Sequence, residues 1–150
     1  MEENCVFCKI IRGELPADKV FENDRVLAFL DIAPLNKGHT LVVPKEHFFG
    51  ITQAPPEYQA AMIQAGAEIG AAMMRAVDAD GFDLILANGA CAGQVVPHTH
   101  LHVVPRFPDD GLHLPSRSIP YDGDAEKEEI LEKVRARLRE RAEKRGGDAS

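Results

Sequence analysis

Pro97-His98-Thr99-His100-Leu101-His102-Val103-Val104-Pro105-Arg106 holds half of the chain's six histidines within five residues. The Thr, Leu and Val around them favour a strand, in which successive side chains alternate between faces. The spacing therefore predicts a strand with His98, His100 and His102 on one face and Thr99, Leu101 and Val103 on the other. Imidazole supports nucleophilic attack, proton transfer and metal ligation. From these residues alone three readings stand open. They are the polar face of an amphipathic strand, a His-x-His zinc pair, and a nucleophilic histidine with two supporting neighbours.

Immediately upstream, Asn88-Gly89-Ala90-Cys91-Ala92-Gly93-Gln94 is a loop of small residues. Such a loop lets a ligand approach backbone N–H groups, which suits a phosphate. It lacks Gly-Lys-Ser/Thr and Gly-x-Gly-x-x-Gly, so it is neither a Walker nor a Rossmann loop. Phe82 to Asn88 reads as a buried strand. Before it, Pro55-Pro56-Glu57 opens a long helix, with proline in the first turn and an acid near the positive end of the dipole. Tyr58, Met62, Gly66, Ile69, Met73 and Val77 give that helix one apolar face, and Gly66 and Gly70 allow close approach to a sheet. Asp78-Ala79-Asp80-Gly81 ends it.

Farther out, Gly38 to Pro44 is a β-branched strand opened by His39 and followed by His47. Lys19 to Leu30 reads as a hairpin turned at Glu22-Asn23-Asp24. Asp31 follows its second strand; a carboxylate there can accept two ribose hydroxyls, or simply cap a turn. Cys5-Val6-Phe7-Cys8-Lys9-Ile10-Ile11 reads as a short helix ended by Arg12-Gly13-Glu14. Its Cys-x-x-Cys is open to three readings: a zinc pair, a redox dithiol, or two buried cysteines. Zinc needs two further ligands, for which His47 and His98 are the candidates. Downstream of Arg106, a connection rich in proline and aspartate runs to Pro120, and Asp124 to about Arg145 reads as a helix. Ile130, Leu131, Val134 and Leu138 form its narrow apolar stripe; acids crowd its start and arginines its end. Gly146 to Ser150 is expected to fray.

The 150 residues suffice for one core plus an appended helix. A net charge of -7 argues against a broad nucleic-acid-binding surface, though not against a small anionic ligand. Three cysteines, an odd number, with no secretory n-region at Met1-Glu2-Glu3-Asn4 and no membrane-length apolar run, predict a reducing cytoplasm.

Taken together, the chain resembles the histidine triad (HIT) superfamily, whose pattern is His-φ-His-φ-His-φ-φ with φ apolar. His98 to Val104 fits, with Thr99 the one polar substitute at a φ position. The likeness extends to Phe29-Leu30-Asp31-Ile32-Ala33-Pro34, to Gly38 through Lys45, and to Asn88 through Gln94, spanning roughly residues 5–107. It implies an α+β fold in which a five-stranded antiparallel sheet packs with helices, here the long central helix and the short N-terminal helix; the C-terminal helix read above lies outside the likeness. The division implied is a HIT domain over 1–121 and a helical extension over 122–150, usually in a homodimer.

The function implied is hydrolysis of a nucleoside monophosphate from a phosphoramidate or other nucleotidyl leaving group. A dinucleoside polyphosphate hydrolase and a nucleotide-binding adaptor with incidental turnover are the alternatives. The ligand implied is a purine nucleotide or its conjugate, with no nucleic acid and no membrane as partner. In the resemblance His100 is the nucleophile, His102 hydrogen-bonds the phosphate, the His98 carbonyl orients His100, and His39 lies beneath the triad. Asp31 holds the ribose, and Asn88, Gly93 and Gln94 line the phosphate side. Structural zinc would sit on Cys5, Cys8, His47 and His98, with no catalytic metal required. One departure is Val95, where many relatives carry Ser or Thr.

Overall fold

The structure, a computed structural model, describes residues 2–113 and 118–147. Its elements in order are α1 (Val6–Ile11), β1 (Lys19–Glu22), β2 (Val26–Leu30), β3 (Thr40–Pro44), α2 (Pro56–Ala76), β4 (Gly81–Ile85), β5 (Leu101–Arg106) and α3 (Asp124–Gly147). The five strands form one antiparallel sheet in the order β1-β2-β3-β5-β4. The α+β architecture is the one the sequence led us to expect. Residues up to Leu112 form one compact unit, and α3 belongs to a second.

The sheet's centre is covered on both faces, which explains the unbroken apolar runs of β2 and β3. Val26, Ala28, Val42, Leu101 and Val103 point to the α2 face and pack on Met62, Ala65 and Ile69. Leu27, Phe29, Leu41 and Val43 point the other way, onto Phe7, Cys8 and Ile10. Along β5, Leu101 and Val103 face α2, so His102 between them emerges on the α1 side. Two glycines let α2 lie close to the sheet. A Cβ on Gly70 would meet the Phe82 ring at 2.4 Å, and one on Gly66 would meet Leu101 at 2.6 Å.

Three boundaries differ from expectation. The histidine strand begins only at Leu101. Continuing the register of Leu41 with His102 and Val42 with Leu101 would set Thr99 opposite Pro44. Proline has no N–H to donate, and the Pro44 carbonyl is already taken by the His98 ring. Thr99 N–H bonds the Phe48 carbonyl instead, at 2.7 Å. The strand expected over 82–88 is β4, an edge strand only half buried because it pairs on one side alone. The long helix stops at Ala76, capped through Val77 N–H to the Met73 carbonyl.

Arg106, the last residue of β5, anchors the loop that leads out of the sheet. Its guanidinium takes Asp110 bidentately at 2.8 and 3.0 Å and Asp83 at 2.6 Å. That pairing, with N–H bonds from Phe107 and Leu112, holds the Asp110 carboxyl well below the usual carboxylate range. Asn36 bridges Asp110 and the Pro105 carbonyl, tying the loop after β2 to this corner.

In the second unit, α3 carries no buried residue and is laced by pairs such as Lys133 with Glu129 at 2.5 Å. It runs through Gly146 and Gly147; the fraying expected farther on, at 148–150, lies outside the described residues, as does 114–117 of the preceding connection. Among the described residues no helix is long and apolar enough to cross a membrane.

Candidate active site and metal centre

The three histidines of the opening motif point to three different places. Because β5 starts after them, His98 and His100 sit in an irregular turn in which His98 N–H bonds the Val96 carbonyl. His98 buries its ring toward the N-terminal cysteines. His100 turns its Nδ1 back to the His98 carbonyl at 2.8 Å. A carbonyl can only accept, so Nδ1 carries the proton and the Nε2 of the neutral ring keeps its lone pair. His102 approaches His39 across the β3–β5 pairing, Nδ1 to Nε2 at 2.9 Å.

A backbone donor sets the protons in that second pair. Leu35 N–H donates to His39 Nδ1 at 3.0 Å, so the His39 proton lies on Nε2 and is given to His102 Nδ1. His102 is left with its own proton on Nε2. Burial, first, and the neighbouring His100 and His39 push the His102 pKa down to about 4, which keeps the ring neutral. Burial likewise lowers His39, against the pull of Asp31 at 3.7 Å. Asp31, His39 and His102 come close enough together to outline a metal triad. The facing nitrogens of His39 and His102 are already joined through one proton, however. Since His98 faces the cysteines and His100 a carbonyl, the triad rings do not converge on a common ion, which removes the His-x-His zinc-pair reading.

Cys5, Cys8, His47 and His98 do converge. Their ligand atoms all lie within 4.8 Å of one another. His98 Nδ1 is 3.5 Å from Cys5 Sγ and 3.6 Å from Cys8 Sγ, and His47 Nδ1 is 3.4 Å from Cys8 Sγ. Zn–S bonds of about 2.3 Å and Zn–N bonds of about 2.0–2.1 Å define a tetrahedron with an N···S edge of about 3.5 Å. The four residues fit that ion. His98 Nε2–H donates to the Pro44 carbonyl at 2.9 Å, leaving Nδ1 as the ligand nitrogen. Burial raises the Cys8 thiol above its ordinary value, so a cation is what would hold it as thiolate.

Between α1 and the sheet opens a cleft of about 670 Å³ that includes His100, His102, Asp31 and Gly93. Asp31 Oδ1 accepts from Ala33 N–H at 2.8 Å, which fixes the carboxylate at the cleft's edge. Asn88 and Gln94 act differently. Asn88 Oδ1 accepts from Ile51 N–H. Gln94 accepts from Gly89 N–H at 2.8 Å and donates to the Phe49 and Val96 carbonyls. Both brace the loop rather than face the cleft.

The loop's own N–H groups are largely committed as well. Gly89, Ala92, Gly93 and Gln94 each donate to an atom within the loop. The expected cradle of backbone donors is thus mostly spent on the turn, and Gly93, at φ +95°, is the residue that lets the turn close.

Sequence reasoning missed the apolar wall. Val6, Phe7 and Ile10 of α1 line the cleft together with Phe29 and Leu41, and Phe7 meets the His100 ring edge-on with centroids 5.1 Å apart. The i, i+3 spacing of Phe7 and Ile10 was a usable signal that the cysteines around it obscured.

The HIT domain family model matches residues 12–109. Among curated proteins, the chain is 46% identical over 112 residues to an adenylylsulfatase, HINT3, of Arabidopsis thaliana, covering 75% of this chain and 57% of that protein. It is 35% identical over 136 residues to the adenosine 5'-monophosphoramidase hnt1 of Schizosaccharomyces pombe, covering 88% of this chain and 99% of that one. Among solved structures, SMU.412c of Streptococcus mutans superposes with a TM-score of 0.84 at 37% identity, over 92% of this chain and 87% of that one. A zinc-bound histidine triad family protein from Mycobacterium smegmatis superposes at 0.67 and 38% identity, over 91% and 96%.

Proposed function

Because this chain belongs to the HIT domain family, we propose that it hydrolyses nucleotidyl conjugates, releasing a nucleoside monophosphate from a phosphoramidate-type bond. The observation that carries this reading is the His100 hydrogen bond to the His98 carbonyl, which leaves a bare Nε2 on the cleft. That nitrogen attacks phosphorus and the bond to the leaving group breaks, giving a nucleotidyl-histidine. Water then attacks the same phosphorus, releasing the monophosphate and freeing His100. Covalent catalysis of this kind splits one hard displacement into two easier ones. His102, with its proton on Nε2, supports the charge that builds on the phosphoryl oxygens.

Asp31 is placed in this reading to accept the ribose hydroxyls, and the apolar wall from α1 to receive a purine face. Gly93 allows the loop to approach the phosphate. Asn88 and Gln94 hold the loop in shape, which is a positioning role. Cys5, Cys8, His47 and His98 would hold structural zinc, which supplies a closed tetrahedral crosslink and no chemistry on the substrate. The phosphoramidase activity named for the Schizosaccharomyces pombe relative supports this choice over the dinucleoside polyphosphate and adaptor alternatives.

The test is the intact mass of the full chain after rapid acid quench with adenosine phosphoramidate, beside His100→Asn. An adenylyl adduct on the native chain and none on the variant is the expected result. Product release by the variant at the native rate would sink the histidine route. AMP binding with neither adduct nor product would favour the adaptor.

A further inference from the structure

The second unit carries a face that the cleft chemistry does not use. At about 100° per residue along α3, Ile130, Leu131, Val134 and Leu138 fall within an arc of about 100°. No residue of the helix is buried, and these four stand 42–61% exposed. The charges beside the stripe are sorted by sign. Glu128 and Glu132 precede Arg135 and Arg139 along one edge, and Glu126 precedes Arg141 along the other. Ion pairs within the helix join Asp124 to Lys127, Glu129 to Lys133 and Arg137 to Glu140. Glu128, Glu132, Arg135, Arg139 and Arg141 have no ion-pair partner among the described residues. The helix macrodipole explains acids in the first turn and bases in the last, because its field falls off within a turn. It does not explain a change of sign between Glu132 and Arg135, in the middle of a 24-residue helix.

We infer that α3 is a self-association element, its apolar stripe covered by the same stripe of a second copy's α3 running antiparallel. Glu128 with Arg139, Glu132 with Arg135, and Glu126 with Arg141 are all centred on one point, between Lys133 and Val134. A single antiparallel register therefore brings the three acids of each copy to three arginines of the other, and two-fold symmetry repeats every pair. That centre lies within the stripe, so apolar side chains meet in the middle and the ion pairs flank them. Glu126 also accepts from Asp122 N–H at 2.7 Å, which holds its carboxylate at the edge of the stripe. A parallel pairing would set each glutamate beside its own counterpart and each arginine likewise, a repulsion along both edges. Exposed ion pairs contribute little singly. Here they choose the direction, while the stripe supplies the area that leaves water. The contact lies in the second unit alone, so it stands whether or not the first units also associate.

Crosslinking of the full chain decides this. Ala125 and Ala142 share the same centre, are exposed and carry no charge, and they stand about 25 Å apart along the helix. Chains with Cys91→Ser and either Ala125→Cys or Ala142→Cys are treated with a short bismaleimide, separately and as an equimolar mixture. Cys5 and Cys8 are buried and stay out of its reach. The mixture should give crosslinked pairs at about fivefold or more the yield of either chain alone, because only antiparallel helices bring the two ends together. Arg135→Glu with Arg139→Glu in both chains should cut that yield by about tenfold. Adding Glu128→Arg and Glu132→Arg, which exchanges the signs, should restore it to within about threefold. As much crosslink from Ala125→Cys alone as from the mixture would make the pairing parallel and overturn the inference. No crosslink in the mixture overturns self-association through α3. A yield untouched by the arginine reversals overturns its electrostatic basis.

Discussion

His102 is kept neutral by burial and by the histidines beside it, with a pKa pushed down to about 4 against an ordinary histidine value of 6.5. The sign of the consequence follows. Above about pH 6.5 neither folded nor unfolded chain holds this proton, and the full contribution is present. As pH falls from about 6.5 toward about 4 only the unfolded chain binds it, so stability declines. By about pH 4.5 His102 alone should cost roughly 2 kcal/mol, read as a lower urea midpoint than at about pH 7. His102→Gln should make that slope shallower, with His39, also lowered by burial, keeping part of it; an equal slope in the variant would assign it elsewhere. Thr99 gives a second residue-scale test, because its buried hydroxyl has no hydrogen-bond partner among the described residues. Thr99→Val keeps the shape and removes the orphan oxygen, so thermal unfolding should show a gain of about 1 kcal/mol. In the sequence Thr99 stood out only as a polar residue in an apolar position. That its oxygen would be stranded depends on Thr99 N–H leaving the sheet for Phe48, which no local pattern encodes.

At the scale of elements, the closeness of α2 to the sheet is set by two glycines. Gly70→Ala would drive a methyl into the Phe82 ring and should destabilise the fold by about 1–3 kcal/mol, measured by denaturant unfolding. A variant as stable as the native chain would mean that β4, an edge strand, yields to the intrusion. That helix, its apolar stripe and its glycines were legible in the sequence because periodicity encodes them directly. So were the hairpin and the β3 run. The start of β5 was not, because it is decided by a proline on another strand 55 positions before Thr99, at Pro44. The same limit explains the site. Cys5, Cys8, His47 and His98 could be named as a set, and their atoms do converge. The bracing roles of Asn88 and Gln94 could not, since each depends on a partner near residue 50 that the chain brings in from outside the loop.

The molecule as a whole divides at the connection after β5, with the cleft and the candidate metal centre entirely in the first unit. A chain ending at residue 121 should therefore keep its melting temperature within about 3 °C and still form the adduct on His100. A larger loss would make the two units one cooperative body. The same truncation tests the homodimer expected from the resemblance: a sedimenting mass of one shortened chain would assign it to α3, and a mass of two shortened chains to the first unit. The hydrogen bonds from Leu35 through His39 to His102 carry a further consequence for that unit. A backbone N–H at the head of the series can never become an acceptor, so the series has a direction that no rotation of a proton can reverse. A second fixed group, the His98 carbonyl, imposes the opposite sense on His100. Two chemically identical side chains standing side by side are thereby made unlike, one obliged to give and the other obliged to receive. Whatever enters between them meets a polarity written in the main chain, not in the side chains that display it.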